Sequence, residues 1–194
     1  MFRKDPFTVG TIHHIYNRGV AKNPICHEEA DFWRFLQGLC LFNDKDSVAS
    51  ILWRLEHNQG RLSMNILKDY LVHEGVAREP LVRILAYCVL DNHYHLLVEE
   101  IREGGITQFM RKLGTGYAQY FNKKYDRVGS LFQNVFKNIL VDNEQYIQYL
   151  LVYINVLNPA NLIEPSYKER GFSNIGVALE YAERYQWSSH LDYL

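Results

Sequence analysis

Two strand-length apolar runs separated by a very short turn constrain the fold more than any other feature of the chain. Val82–Leu90 (VRILAYCVL) is strongly apolar, and His93–Glu99 (HYHLLVE) begins directly after Asp91-Asn92. Apolar runs of this length that are bounded by turn residues are typical of buried strands. Two strands joined by so short a turn pair in the antiparallel direction. The sequence therefore predicts a β-hairpin whose second strand opens with two histidines.

The rest of the chain surrounds this hairpin with further strand and helix patterns. Thr11–Tyr16 alternates and is β-branched, and Phe136–Val141 is short and apolar, so both predict strands. Apolar positions at helical spacing predict four helices, over Glu28–Phe42, Ile106–Tyr125, Asn143–Val156 and Asn174–Tyr185. We expect Asn158-Pro159 to stop the third helix, because proline cannot continue it. This order predicts an α+β fold, a ferredoxin-like antiparallel sheet with helices packed on it.

Length and composition predict one domain over residues 1–194. A chain of 194 residues, of which 47% are hydrophobic, can bury a core, which excludes a disordered linker. Helical patterns around Val48–Glu56 and Ser63–His73 predict a helical insertion at about 44–80, and a C-terminal extension is predicted at about 160–194. No apolar run approaches the ~20 residues that span a bilayer, so no membrane association is expected. Three widely spaced cysteines without a CxxC pair favour a reduced, cytoplasmic protein.

The two histidines of the hairpin are the first candidate site. Because side chains alternate along a strand, His93 and His95 project from one face and Tyr94 projects from the other. Neighbouring imidazoles can bind one divalent cation, although a lone HxH is more often a pair of surface histidines. These two lie where burial would favour hydrophobic residues, which points to function. A third ligand must come from elsewhere in the chain, with water or substrate completing the site.

The distribution of charge adds a candidate surface for a polyanion. The net charge of −1 excludes a globally cationic nucleic-acid coat, but residues 111–140 hold six basic residues against one aspartate. Candidate phosphate contacts are Arg111, Lys112, Lys123, Lys124 and Arg127, together with Arg18 at the end of the first strand. The alternative is a solvated amphipathic helix whose aromatic residues face the core.

Five motifs follow one another along the chain. His93-Tyr94-His95 is a pair of histidines that flank one bulky residue. The other four are HHIYNRG near the amino terminus, GYAQYFNKKYDRVGSLFQNVFKNILV, YIQYLLVYINVLNP and WSSHLDYL. In this order they resemble the motifs of the single-tyrosine HUH transposases, and most of all those of the REP-associated tyrosine transposases, with the histidine pair similar to the HUH motif. The resemblance covers about residues 10–43 and 81–194 and leaves out about 44–80. It implies the HUH endonuclease fold.

The resemblance also implies a reaction. Members of the family cut one DNA strand beside a hairpin through a covalent 5′-phosphotyrosine and can rejoin strands. It implies that His93 and His95 hold Mg²⁺ or Mn²⁺, which polarises the scissile phosphate. The expected partner is single-stranded or hairpin DNA, with the protein acting as a monomer or homodimer. Two alternatives remain, a catalytically inactive hairpin-binding protein of the same fold and a metal hydrolase that activates water.

The position that matches the family's nucleophile is Tyr153, in VYINVLNP, with Tyr149 and Tyr146 as runners-up on the same helix face. Family members commonly place an amide residue four positions after the tyrosine, where it can complete the metal site. Here that residue is Leu157, and Asn158 comes five positions after the tyrosine. Five steps of an α-helix rotate a side chain roughly 140° off that face. Asn158 is therefore expected as the third ligand only if the helix ends or bulges before the proline.

Overall fold

The predicted hairpin lies in one four-stranded antiparallel sheet. The computed structural model describes residues 6–46 and 78–194. Within these ranges the strand order is β2-β3-β1-β4. The strands are β1 (Ile12–Arg18), β2 (Val82–Val89), β3 (His93–Glu100) and β4 (Lys137–Val141). β2 and β3 form the hairpin, with Cys88 opposite His95. Most of the predicted insertion at 44–80, including both of its helical patterns, lies outside the described residues.

Six helices connect and follow the strands in the described part of the chain. They are α1 (Glu29–Leu41), α2 (Gly105–Lys124), α3 (Glu144–Val152), α4 (Asn158–Ala160), α5 (Tyr167–Arg170) and α6 (Ile175–Arg184). A π turn over Tyr153–Leu157 joins α3 to α4, and 3₁₀ turns lie at Val20–Lys22 and His190–Tyr193. The order β1-α1-β2-β3-α2-β4, with this strand order, is the ferredoxin-like arrangement, so the predicted α+β class is confirmed. None of the described helices is long and apolar enough to cross a membrane.

The two faces of the sheet bury different kinds of side chain. Alternation along β3 sends Tyr94 and Leu96 into a large core beneath α1 and α2, where the ring of Phe35 lies 4.9 Å from that of Tyr94. The same alternation sends Leu97 to the opposite face, into a smaller core with Leu150 of α3 and Ile154 of the π turn. His95 lies on this second face, which is covered by the helix that carries the candidate tyrosines.

The end of the third predicted helix differs from the prediction. The α-helix ends at Val152 rather than Val156, and the chain stays helical through α4 instead of stopping at Asn158-Pro159. In the π turn the backbone N–H of Asn158 donates to the carbonyl oxygen of Tyr153, five residues earlier. Pro159 is accommodated because it lies in the first turn of α4, where its missing N–H is not needed. The helix therefore bulges before the proline, and Asn158 lies one turn from Tyr153.

Gly19 fixes how β1 meets the hairpin turn. Its N–H donates to the carbonyl oxygen of Asn92, 2.9 Å away. A Cβ atom at this position would lie 2.0 Å from the carbonyl oxygen of Asn23, so only glycine lets the chain turn back this tightly after β1. This contact places the turn before β3, and with it the first histidine of the pair, beside the end of β1.

Candidate active site

A cavity of about 300 Å³ lies beside the ends of β1 and β3 and the π turn. It brings together four residues predicted separately from the sequence, namely Arg18, His93, His95 and Tyr153. The complete lining is Tyr16, Asn17, Arg18, His93, His95, Gln133, Asn134, Val135, Lys137, Tyr153 and Lys168. The lining combines hydroxyl, imidazole, amide and cationic groups and contains no carboxylate.

The two histidines each use Nδ1 for a hydrogen bond to a neighbouring side chain. Nδ1 of His93 lies 2.6 Å from Oδ1 of Asn92. Nδ1 of His95 lies 2.8 Å from Nε2 of His14, which projects from β1. The rings of His93 and His95 are 5.2 Å apart between centroids. Nε2 is therefore the nitrogen that each ring keeps for a ligand in the cavity.

Burial keeps these imidazoles neutral at physiological pH. It is the main cause that lowers the pKa of His93 to about 4, and the positive charge of Arg18 adds to the effect. Burial also lowers the pKa of His95 well below its ordinary value. Neutral imidazole is the form that ligates metal ions. Both rings are thus uncharged, as ligation of the predicted cation would require.

Tyr153 is the one of the three candidate tyrosines that lines the cavity. Its ring stands edge-on to His95, with 5.5 Å between centroids. Tyr149 stacks on it at 5.9 Å, and Tyr146 stacks on Tyr149 in turn at 6.1 Å. Burial, followed by the neighbouring tyrosines, raises the pKa of Tyr153. Its phenol is therefore protonated at neutral pH and needs an activating group before it can act as a nucleophile.

The donor groups in the cavity fit a divalent cation that takes its other ligands from oxygen atoms. No cluster of three or more His, Cys, Asp or Glu side chains that could hold a metal is found in residues 6–46 and 78–194. Two neutral Nε2 atoms can hold the cation and leave its full charge for phosphate and water oxygens. Asn158 is buried and its Nδ2 has no hydrogen-bond partner among the described residues, but it does not line the cavity. Its role as third ligand stays a prediction.

Three cations face the cavity. Arg18, Lys137 and Lys168 are exposed, and none of them forms an ion pair with any residue in the described part of the chain. Nζ of Lys168 lies 5.9 Å from the ring centroid of Tyr153. Unpaired cations around a cavity without acidic side chains create a positive potential, which is the environment that a phosphodiester requires.

Most of the predicted basic block lies away from this cavity. α2, which carries four of its members, packs on the opposite face of the sheet. Lys112 donates to the carbonyl oxygens of Asp44, Lys45 and Asp46. The five block residues, Arg111, Lys112, Lys123, Lys124 and Arg127, are absent from the cavity lining. Their contact with DNA stays a prediction.

Two further members of the block are also engaged within the protein. Lys124 donates to the buried carboxylate of Asp31 at 2.6 Å. The guanidinium of Arg127 lies over the ring of Phe121 and hydrogen-bonds Asn122. Arg111 and Lys123 remain exposed on α2.

Several residues in or beside the cavity were not predicted as site residues, among them His14, Tyr16, Asn92, Lys137 and Lys168. His14 and Tyr16 could have been found from the period-two alternation of β1, because this alternation places them on the same face as Arg18. The ring of Tyr16 stacks on that of His95 with 5.7 Å between centroids. The sequence pattern indicated only a turn at Asn92. No sequence pattern marked Lys168 as a site residue, because only the tertiary fold brings the segment after α4 to the cavity.

The sequence of the central part of the chain matches a known protein family. A family model described as "Transposase IS200 like" matches residues 50–156, more than half of the chain. The chain belongs to the IS200-like transposase family. The matched span contains seven of the residues that line the cavity, among them His93, His95 and Tyr153. It also begins inside the segment at 44–80, whose assignment as an insertion stays a prediction.

A solved structure supports the fold of this IS200-like transposase. The chain is similar to a REP-associated tyrosine transposase bound to a REP hairpin, with a TM-score of 0.53 and 10% sequence identity. The similarity covers 99% of this chain and 83% of that one. At this identity the match shows the fold alone, which agrees with the predicted HUH endonuclease architecture. No curated protein matches the chain.

Proposed function

We propose that this transposase is a metal-dependent single-strand DNA endonuclease that cleaves beside DNA hairpins, forms a covalent 5′-phosphotyrosine and can rejoin strands. One observation carries the proposal. The cavity places the phenol of Tyr153 next to two neutral imidazoles and three cations that form no ion pair with the described residues, and its lining holds no carboxylate. This combination suits attack by a tyrosine on a phosphodiester.

The cleavage step transfers a phosphoryl group to Tyr153. Its phenolic oxygen attacks the scissile phosphorus, an O–P bond forms, and the bond from phosphorus to the 3′-oxygen breaks. The phenol gives up its proton, and the released 3′-oxygen takes one up to become a hydroxyl. The phosphate stays on the 5′ end of the downstream fragment, now joined to the tyrosine, and the upstream fragment ends in the free 3′-hydroxyl. The reverse step lets a 3′-hydroxyl attack this ester, so strands are rejoined without ATP.

The other groups of the cavity bind and orient the phosphate. His93 and His95 would hold the cation through Nε2, and a divalent cation there supplies positive charge to the non-bridging oxygens. Arg18, Lys137 and Lys168 contact the phosphates of the strand. Lys168 also lies near the Tyr153 ring, where its charge favours the phenolate over the phenol.

A hairpin-binding protein without chemistry is the second candidate. Leu157 stands where the family commonly has an amide, and this substitution favours an incomplete metal site. The π turn is the counterargument, because it returns Asn158 to a position one turn from Tyr153. The two candidates differ in one observable, a covalent protein–DNA adduct.

A covalent-trapping assay tests the proposal. The full chain is mixed with labelled single-stranded hairpin oligonucleotides from the flanks of its own gene, with Mn²⁺ or with EDTA. We expect an SDS-stable adduct that requires the metal and disappears in Tyr153→Phe. Tyr149→Phe is the matched control, because its ring stacks on Tyr153 but does not line the cavity, and it should retain the adduct.

The other outcomes assign the alternatives. An adduct that survives Tyr153→Phe but disappears in Tyr149→Phe or Tyr146→Phe keeps the mechanism and changes the nucleophile. Cleavage without an adduct indicates water as the nucleophile. Tight hairpin binding with neither cleavage nor adduct favours the binding protein.

A further inference from the structure

We propose that Asn92 and His14 are positioning residues: Asn92 fixes the ring tautomer of His93, and His14 accepts the Nδ1 proton of His95 when a cation binds, so that each Nε2 offers its lone pair to that cation. The inference rests on the metal site of the proposed function and goes beyond it, because it assigns two residues that do not themselves bind the metal. Hydrogen bonds of this kind orient ligand imidazoles and strengthen them as donors.

Asn92 can hold His93 in only one tautomer. Its Nδ2 donates to the carbonyl oxygen of Lys22 at 3.3 Å, which sets the orientation of the amide. Oδ1 of Asn92 therefore faces His93 Nδ1, 2.6 Å away, and an amide oxygen can only accept. The proton of His93 must lie on Nδ1, so its Nε2 carries a lone pair. Gly19 keeps Asn92 in place by donating to its carbonyl oxygen.

His14 holds His95 in a different way. His14 is buried, and its Nε2 lies 2.8 Å from Nδ1 of His95, so one proton lies between the two nitrogens. When His95 donates that proton, its Nε2 is free to bind a cation and His14 carries its own proton on Nδ1. When His14 donates instead, His95 carries a proton on Nε2 and cannot bind. Nδ1 of His14 has no hydrogen-bond partner among the described residues in either arrangement.

This difference makes the His14–His95 pair adjustable, whereas the Asn92–His93 pair is fixed. A buried N–H without a partner is more costly than a buried nitrogen lone pair without one. The metal-free protein should therefore favour donation by His14, and cation binding should draw the proton to Nδ1 of His95. His95 therefore changes tautomer when the cation binds, whereas His93 keeps the same tautomer.

Titration of the intact protein with Mn²⁺, in the absence of DNA, tests the proposal by calorimetry. We expect His14→Leu and Asn92→Leu each to weaken Mn²⁺ binding by about 10- to 100-fold. His14→Gln and Asn92→Asp keep an acceptor oxygen and should bind within about threefold of the wild type. His13→Leu is the matched control, because His13 is the buried neighbour on the opposite face of β1 and should not alter Mn²⁺ affinity.

A spectroscopic readout keeps the proposal open to refutation if the leucine variants do not fold. In wild-type protein saturated with Mg²⁺, ¹⁵N correlation spectra should show the ring proton of both ligands on Nδ1. A proton on Nε2 of His95 in that state would overturn the proposal, as would unchanged Mn²⁺ affinity in folded His14→Leu and Asn92→Leu. If the wild type itself binds no Mn²⁺, the metal-dependent proposed function fails, which is a distinct outcome.

Discussion

The two faces of the sheet differ in whether their buried polar groups are hydrogen-bonded. On the face that carries α1 and α2, the carboxylate of Asp31 in the first turn of α1 is fully buried and accepts hydrogen bonds from Tyr120, Tyr125, Lys124 and the backbone N–H of His27. Beneath α3 and the π turn, two buried polar atoms lack partners, His14 Nδ1 and Asn158 Nδ2. These two are the complete set of such atoms in the described part of the chain.

The two faces therefore differ in the role of their polar groups. On one face these groups stabilise the fold, and on the other they are left free to bind a ligand. A buried polar group that lacks a partner destabilises a protein, so it persists where function requires it. The same distinction divides the basic residues. Lys112, Lys124 and Arg127 are bound by the protein itself, whereas Arg18, Lys137 and Lys168 have no ion-pair partner among the described residues.

The largest expected effect comes from Lys124. In Lys124→Met the buried carboxylate of Asp31 keeps its hydroxyl and backbone donors but loses its cation. Breaking a buried ion pair by removing one partner costs about 3–5 kcal/mol, and we expect about 3 kcal/mol because the Lys124 side chain is partly exposed. Urea unfolding measures the change.

Lys123→Met is the control for this prediction, because the neighbouring lysine forms no ion pair with the described residues and should alter stability by less than about 0.5 kcal/mol. If Lys124→Met unfolds like the wild type but binds single-stranded DNA poorly, then Lys124 acts in DNA binding rather than in stabilising the fold.

Acid should destabilise the cavity face before it affects Asp31. Burial lowers the pKa of His14 to about 4, so the unfolded chain takes up a proton below about pH 6.5 that the folded protein does not. Stability is therefore fully present above that pH and falls as the pH drops from about 6.5 to about 4. The expected slope is about 1.4 kcal/mol per pH unit for each such histidine.

Asp31 responds in a lower window. Burial alone would raise its pKa, but hydrogen bonds from Lys124, Tyr125, His27 and Tyr120 outweigh burial and lower it. The contribution of the Asp31 carboxylate to the free energy of unfolding is lost only below the ordinary pKa of a carboxylate.

Urea unfolding at several pH values tests the prediction for His14. Between pH 6.5 and 4, the slope of the free energy of unfolding against pH should be shallower by one proton in His14→Gln than in the wild type. Identical slopes would contradict the assignment.

The parts of the molecule set by local pattern were predictable from the sequence. The apolar runs of β2 and β3 and the turn between them fixed the hairpin, and alternation placed His93 and His95 on one face. The spacing of Tyr146, Tyr149 and Tyr153 predicted that they share one helix face, and their rings stack on one another there. Each of these inferences needed only neighbouring residues.

The parts that depend on contacts between distant segments were not predictable. The π turn arises where a helix must continue past Asn158-Pro159, and local propensity alone indicated a stop. Lys168 reaches the cavity because the chain folds back after α4. The basic block was identified by charge density, yet which of its cations are bound internally depends on partners such as Asp31, almost a hundred residues away in the sequence.

The smallest expected effects concern the cavity cations. Arg18→Gln, Lys137→Gln and Lys168→Gln should each weaken single-stranded DNA binding by about three- to tenfold and leave the free energy of unfolding unchanged. The reason is counterion release, because the slope of log K against log salt falls by about 0.7 for each phosphate of a single strand that the protein no longer neutralises. Fluorescence anisotropy with a labelled oligonucleotide over a salt series measures both the affinity and the slope.

The double variant of Arg111 and Lys123 to glutamine is the matched control, since both cations are exposed but lie on α2, across the sheet from the cavity. It should leave the single-strand salt slope unchanged. If the control instead lowers the slope for a hairpin but not for a plain single strand, then the duplex stem lies against α2 while the cut strand enters the cavity. In that case both groups of cations contact one DNA, and the two faces of the sheet divide it into a stem and a strand.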